Sequence, residues 1–430
     1  MAKLQVKAND LKQAIAAVQA LTKGMPGAGV GTGDAKCAIL RSCDGFSIVS
    51  STDRTTAEVV LPTMSFVAPP APGDLDEWNG KSDMTASMLV GFANADDVAS
   101  LMTKLGTADL AVEVARDNHR LVIRCGRSEN QFDIVDPRLI PSRFTRFDGG
   151  NAKHAYTLSS DQLEWFAATV GELGAMIAPS VSHPGFGSVV FNAYPSKSRP
   201  LTISGNSDAD GYSVIYTTII ASELDFEMLV PKPLASGFNA FVKALGKTDG
   251  DTSFEVVVDN RRVKTLILRN GGYMISVACS ADAFPFTATD NILKMAASPA
   301  VSARVKYKEI NGMLGRTGVS AGAGSITTLE ITDGGMLSLV QHDALTTSNV
   351  LARDAIELDG LVKFPGQSTE VSTIVRTDVL RKAVATMKQA DAFSVSITAE
   401  NRPGANGKLI LEHDYNIAVE TAVLMGIRKR

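Results

Sequence analysis

Cysteine is scarce in this 430-residue chain, and the four present, Cys37, Cys43, Cys125 and Cys279, never form a C-x-x-C pair. That scatter supports neither a zinc site nor a disulfide framework, so the four read as reduced structural thiols. Histidine is almost as rare, and His119, His154, His183, His342 and His413 never fall at the H-x-x-x-H spacing of a helical metal site. No metal, cofactor or shared acid–base centre is expected, and the chain reads as non-catalytic. Long apolar runs are missing too: the stretch from Phe166 to Ala178 is broken by Glu172 and falls short of the ~20 residues that cross a bilayer. The first ten residues carry charges where an export signal needs an apolar core, which points to a cytosolic protein with no membrane partner. Basic excess is also lacking, with 42 Lys and Arg against 46 Asp and Glu. A polyanion would have to be met by a local cationic surface.

Several phosphate and metal motifs fail on one position each. Gly80-Lys81-Ser82 and Gly246-Lys247-Thr248 end like phosphate loops, but Leu75 and Phe241 stand where the leading glycine is required. The glycine-rich stretch 24–33 follows a helical pattern instead of a strand and lacks G-x-G-x-x-G. The segment from Asn206 to Gly211 opens like a calcium loop, but its twelfth position is Thr217.

What the chain does have is a repeat. An amphipathic helix followed by alternating strands joined by Gly, Asn or Asp turns recurs six times, two units to a domain. The first helix of each pair is expected at 10–22, 160–173 and 307–316, the second at 95–105, 233–245 and 377–389. Asp10 and Ser160 stand where N-caps belong. Strand sets are expected over 38–58, 189–216 and 329–349, with a further hairpin set after each second helix at 110–134, 254–279 and 393–423. Composition shifts place the boundaries so that the domains run 1–150, 151–290 and 291–430, and 68–83, rich in Pro and Gly, reads as a surface insertion. The fold class is α+β.

Three helices carry cationic stripes. Lys12, Gln19 and Lys23 are spaced by seven and then four, which at about 100° per residue keeps them within roughly 20° of one line. Leu11, Ala14, Ile15 and Val18 take another face. Lys232, Asn239 and Lys243 repeat that spacing, and Arg381 and Lys382 stand one heptad before Lys388 and Gln389. Lysine and arginine rows of this kind suit phosphate contacts that carry no base information. The helix at 160–173 has Asp161, Glu164 and Glu172 and no lysine.

Across essentially its full length the chain resembles the bacterial sliding clamp, the β-subunit of DNA polymerase III. The likeness rests on Ser51-Thr52-Asp53 after the turn Asp44-Gly45-Phe46, on the hairpin 121–128, on Asp210-Gly211-Tyr212, Val230-Pro231-Lys232 and Ala283-Phe284-Pro285, and on the ending Met425-Gly426-Ile427-Arg428, in order and in register. The resemblance implies three repeated clamp domains, each with two helices packed on antiparallel sheets, and a head-to-tail homodimer closed into a ring around double-stranded DNA. It implies a groove for short linear peptides of the DNA polymerase and the clamp loader, formed by Gly211, Tyr212, Val214, Pro285, Ile292, Leu293, Val423, Met425, Ile427 and Arg428. Tyr212, Ser213 and Gly426 depart from the family's usual His, Arg and Pro, which alters the peptide preference expected. Ring closure would bring Phe132 and Ile134 against Met313 and Leu314 of a second copy. The competing reading is a repeat-built structural or adhesion protein whose basic stripes are solvated faces, and native mass separates the two.

Overall fold

The computed structural model describes residues 3–22, 37–42, 45–51, 55–61, 88–92, 95–115, 120–133, 151–177, 187–207, 211–232, 234–235, 250–282, 284, 286–320, 322, 324–332, 334–343, 349–363, 371–398 and 407–425. They form two compact units, one of Met1–Ala175 with Val230–Ala281, the other of Met176–Leu229 with Asp282–Arg430. These units cut across the expected middle domain, because strand pairing joins segments that the sequence boundaries keep apart.

In the first unit, one antiparallel sheet runs β1 (Lys3–Lys7), β6 (Asp109–Ala115), β7 (Arg120–Cys125), β8 (Ser128–Asp133). A second runs β9 (Lys153–Leu158), β14 (Thr252–Asp259), β15 (Arg262–Asn270), β16 (Tyr273–Ala278), β4 (Thr55–Leu61), β3 (Gly45–Ser51), β2 (Cys37–Ser42), β5 (Met88–Phe92). The β16–β4 ladder, Tyr273 opposite Val59 through Val277 opposite Thr55, joins segments some two hundred residues apart. Helix α1 (Ala8–Thr22) packs on α2 (Ala95–Leu105) and on β3 and β4. Leu11, Ala14, Ile15 and Val18 are all buried, as their spacing anticipates. Each fully buried Leu, Ile or Val contributes about 1.5–3 kcal/mol relative to exposure. Helix α3 (Ser160–Met176) lays Phe166 edge-on against Phe254 of β14, which stacks on Tyr156 of β9 at 4.2 Å.

In the second unit, the long sheet runs β13 (Phe226–Pro231), β10 (Ser188–Tyr194), β11 (Arg199–Ser207), β12 (Tyr212–Thr218), β25 (Ala418–Leu424), β24 (Leu409–Tyr415), β23 (Ala392–Ile397), β17 (Val301–Lys306), β21 (Asp359–Lys363). A four-stranded sheet is ordered β20 (Val350–Glu357), β19 (Met336–His342), β18 (Ile326–Ile331), β22 (Val371–Arg376). Helices α5 (Tyr307–Thr317) and α6 (Thr377–Thr386) pack together, α5 against β19 and β20, α6 against β22 and β25. All of β10 is buried, and Phe284 and Phe286 cluster with its Val190 and with Leu229.

Three details differ from the sequence expectations. The cap of α3 is Ser159, not Ser160: its hydroxyl accepts from the Gln162 amide at 3.3 Å while the Gln162 side chain accepts from the Ser159 amide at 3.0 Å. Ser-x-x-Gln is thus a reciprocal capping box, which outcompetes a single hydroxyl one residue later. Helix α1 starts at Ala8, so Asp10 sits inside its first turn, where a carboxylate suits the helix dipole. The boundary expected at 290–291 falls inside a helix, α4 (Thr287–Ala296), with Asp290 in its first turn and Lys294 in its last. No helix among the described residues is long and apolar enough to cross a membrane.

Candidate functional site

The strongest convergence of sequence-expected residues lies in the second unit, at one end of the β12–β25 ladder. Gly211 takes a left-handed backbone at φ +63°, and its carbonyl accepts from the Met425 amide at 2.8 Å. A Cβ on Gly211 would stand 3.2 Å from that of Met425, so the approach requires glycine both for its φ and for its size. From there Tyr212 pairs with Leu424, Ser213 with Val423 and Val214 with Ala422. Helix α4 packs on β25 and is tied down by an ion pair from Arg199 to Asp290 and by Lys408 of the 407–408 segment against the Met295 sulfur. Ile292 and Leu293 on α4 are half-buried, and Met425 is 49% exposed.

Pairing therefore brings Gly211, Tyr212, Val214, Val423 and Met425 together, although about two hundred residues separate the two strands. Their roles divide by burial. Tyr212, Val214 and Val423 are at most 2% exposed, so they frame the sheet and offer no contact surface. Met425 offers exposed apolar surface at this end, and Ile292 and Leu293 offer half-buried apolar surface on α4, which packs on β25; a thioether and aliphatic groups adapt to varied apolar partners. Pro285, Ile427 and Arg428 lie outside the described residues.

Of the cationic stripes, α6 is the clearest. Val379, Leu380, Ala383 and Val384 are buried, while Arg381, Lys382 and Lys388 are exposed. Arg381 also folds back on α5, donating to the Leu314 carbonyl at 3.3 Å, where a cation suits a helix C-terminus. In α1 the open face is held by Asn9, Gln13 and Ala16, with Lys12 half-buried at its margin. Lys232 is half-buried and helical. Gln19's side chain, Lys23, Asn239 and Lys243 fall outside the described residues. Exposed acids on α3 are Asp161, Glu164 and Glu172.

Two sheets end in open edges. Among the described residues β8 pairs only with β7 and β20 only with β19, which leaves a row of backbone groups on each for another strand. Phe132 on β8 is half-buried, and Ile134 lies outside the described residues. Met313 and Leu314 do not suit the contact expected of them: at 0% and 3% exposure they point into the core beneath α5. The helix period that spaces them from Ile310 explains this, since one face of α5 is used up by packing. Apolar surface beside the β20 edge comes instead from Val319, 86% exposed in the turn after α5, and from Val350 and Leu351, also exposed. The sequence does not mark these three, because isolated apolar residues in a turn or at a strand start carry no periodic signal.

Among the described residues no cluster of three His, Cys, Asp or Glu side chains is placed to hold a metal. Gly318-Val319-Ser320-Ala321-Gly322 has the G-x-S-x-G spacing of a nucleophile elbow, but it follows helix α5 instead of joining a strand to a helix, the context that motif needs. Burial pushes the Cys279 thiol up to about 12, away from nucleophilic reactivity.

No protein-family model and no curated protein matches the sequence. Solved structures do match it in shape. The DNA polymerase sliding clamp of Bacillus subtilis aligns over 100% of both chains with a TM-score of 0.70 and 13% identity. The DNA polymerase III β subunit of Thermotoga maritima aligns over 100% of both at 0.68 and 12%. The Helicobacter pylori β clamp, solved with 3,4-difluorobenzamide, aligns over 99% of both at 0.68 and 12%. Agreement over whole chains at such low identity establishes architecture, and on that ground the chain has the fold of the bacterial sliding clamps.

Proposed function

We propose that this chain is a non-catalytic sliding clamp: two copies, each of three repeats over 1–150, 151–290 and 291–430, close head to tail around double-stranded DNA in the cytoplasm. The observation that supports the reading is the full-length match in both directions to clamp structures. Exposed Lys382 on α6 and Lys388 in the turn that follows it supply sequence-independent phosphate contacts on the channel side, joined by Lys12, Gln19, Lys23, Lys232, Asn239, Lys243 and Arg381. Such contacts are weak and salt-sensitive, which suits sliding, and retention comes from the closed ring.

The end of the β12–β25 ladder is the docking point for short peptides of a DNA polymerase and a clamp loader, with Met425, Ile292 and Leu293 as the apolar contacts. Tethering then raises the effective concentration of polymerase at the template. Closure uses the open edges, β8 with Phe132 in one copy and β20 with Val319, Val350 and Leu351 in the other.

The test is topological. Protein loaded onto a nicked circle should stay bound when salt is raised, and cutting that circle with a restriction enzyme should release it. Equal loss from circular and linear DNA would mean that affinity, not enclosure, holds the protein, and the reading would fall.

A further inference from the structure

The hairpin between β14 and β15 stands apart from the helices and edges described so far. Its ladder closes with Val258 opposite Val263 and Asp259 opposite Arg262, leaving Asn260 and Arg261 as a two-residue turn. Both take left-handed backbones, at φ +50° and +70°, the signature of a type I′ turn. Asparagine tolerates that region, and the second position favours glycine because a Cβ is disfavoured there. This chain places arginine there instead. The ladder on both sides, which over-determines the turn, is what holds it in place, and strain kept at an exposed position is a sign of use.

Charge gives that use a direction. Asp259, Asn260, Arg261, Arg262 and Lys264 are all exposed. The one carboxylate at the tip, Asp259, is taken by the Lys264 ammonium at 2.7 Å, and the exposed Arg261 guanidinium keeps a positive charge on the turn. The sequence repeats the order acid, asparagine, base ahead of β7, as Asp117-Asn118-His119, and ahead of β24, as Glu400-Asn401-Arg402. Those residues lie outside the described ones, and Arg261 carries the argument by itself.

We propose that Arg261 is a phosphate-binding residue for the backbone of duplex nucleic acid, held outward on a rigid turn and separate from the helix cations. The inference takes its partner from the proposed clamp function, and its chemistry is that of a guanidinium meeting phosphate oxygens in a fork. A short turn fixed by its ladder presents the side chain with little freedom to lose on binding.

Replacing Arg261 with glycine sets the two roles against each other. The R261G turn is free of strain, so its urea midpoint should equal or exceed that of the parent, while its affinity for a short blunt duplex falls. Losing one phosphate contact lowers the salt slope by about 0.9, so the affinity deficit should shrink about 3.5-fold between 50 and 200 mM salt. R261K should keep the parent slope. Unchanged affinity in R261G, a deficit that ignores salt, or a loss of equal size in R261K overturns the proposal. So does Arg261-dependent binding to phosphatidylserine vesicles by a protein that binds no duplex. The double variant K382A/K388A separates this inference from the clamp reading: if it binds linear duplex like the parent while R261G is weakened, the channel assignment fails and Arg261 stands. If it is weakened while R261G is not, Arg261 fails and the channel stands.

Discussion

Gly174 shows how tightly single positions are set. A Cβ there would lie 2.8 Å from the Cβ of Ala235, closer than real contacts allow, at the point where α3 meets the helical residues 234–235. Gly174→Ala should therefore destabilise by about 1–3 kcal/mol, despite the better helix propensity of alanine, and urea unfolding measures it. Titration is a second effect at this scale. Burial raises the Cys279 thiol to about 12 and the Tyr156 phenol well above its ordinary range, and burial together with the Asp10 carboxylate raises Tyr273. A folded-state pKa raised above the unfolded one stabilises fully below the unfolded value and is lost as pH climbs through the folded one. The melting temperature should accordingly fall as pH rises from about 9 toward 12, and Cys279→Ala should remove the thiol's share of that fall.

Elements were legible wherever a period had room to declare itself. The helix expected at 95–105 matches α2, and those at 160–173, 307–316 and 377–389 match α3, α5 and α6 with its terminal turn to within a few residues. The strands that feed the helices, β1, β9, β17 and β22, escaped notice, since five or six residues of alternation do not stand out beside a helix that starts at the next residue or two. Helix α4 was hidden for another reason: the composition shift around it marks a domain boundary in the sequence, and its anchor, Arg199 on Asp290, is a tertiary contact. At the proposed docking end, the resemblance named residues that strand pairing brings together, but not which of them meet solvent. Whether Tyr212 or Met425 meets solvent depends on which strand lies beside which. Met425→Glu should weaken a polymerase-derived peptide at least about tenfold in a fluorescence polarisation assay, because a carboxylate replaces an exposed apolar contact. Val214→Ala should act through stability, being fully enclosed.

At the scale of the molecule, the α+β class was legible and the long-range strand pairing was not. Nothing in the residues of β4 announces that its second neighbour is β16, because ladders are formed by backbone groups that every residue possesses. The open edges lead to a direct expectation about assembly. The parent should run at twice the chain mass in native mass spectrometry, and Val319→Asp combined with Leu351→Lys should shift it to a monomer with an unchanged far-ultraviolet spectrum. A monomeric parent would favour the structural-protein reading over the clamp.

The β16–β4 ladder also bears on how the protein is made. Strand β4 leaves the ribosome about two hundred residues before β16 does. At roughly 5–20 residues per second it waits on the order of ten to forty seconds with its hydrogen-bonding side bare. A nascent chain in that interval is a template for pairing with its neighbours on a polysome. Chaperone dependence during translation should therefore be concentrated before residue 278, and stalling synthesis just short of that point should enrich the product in aggregates.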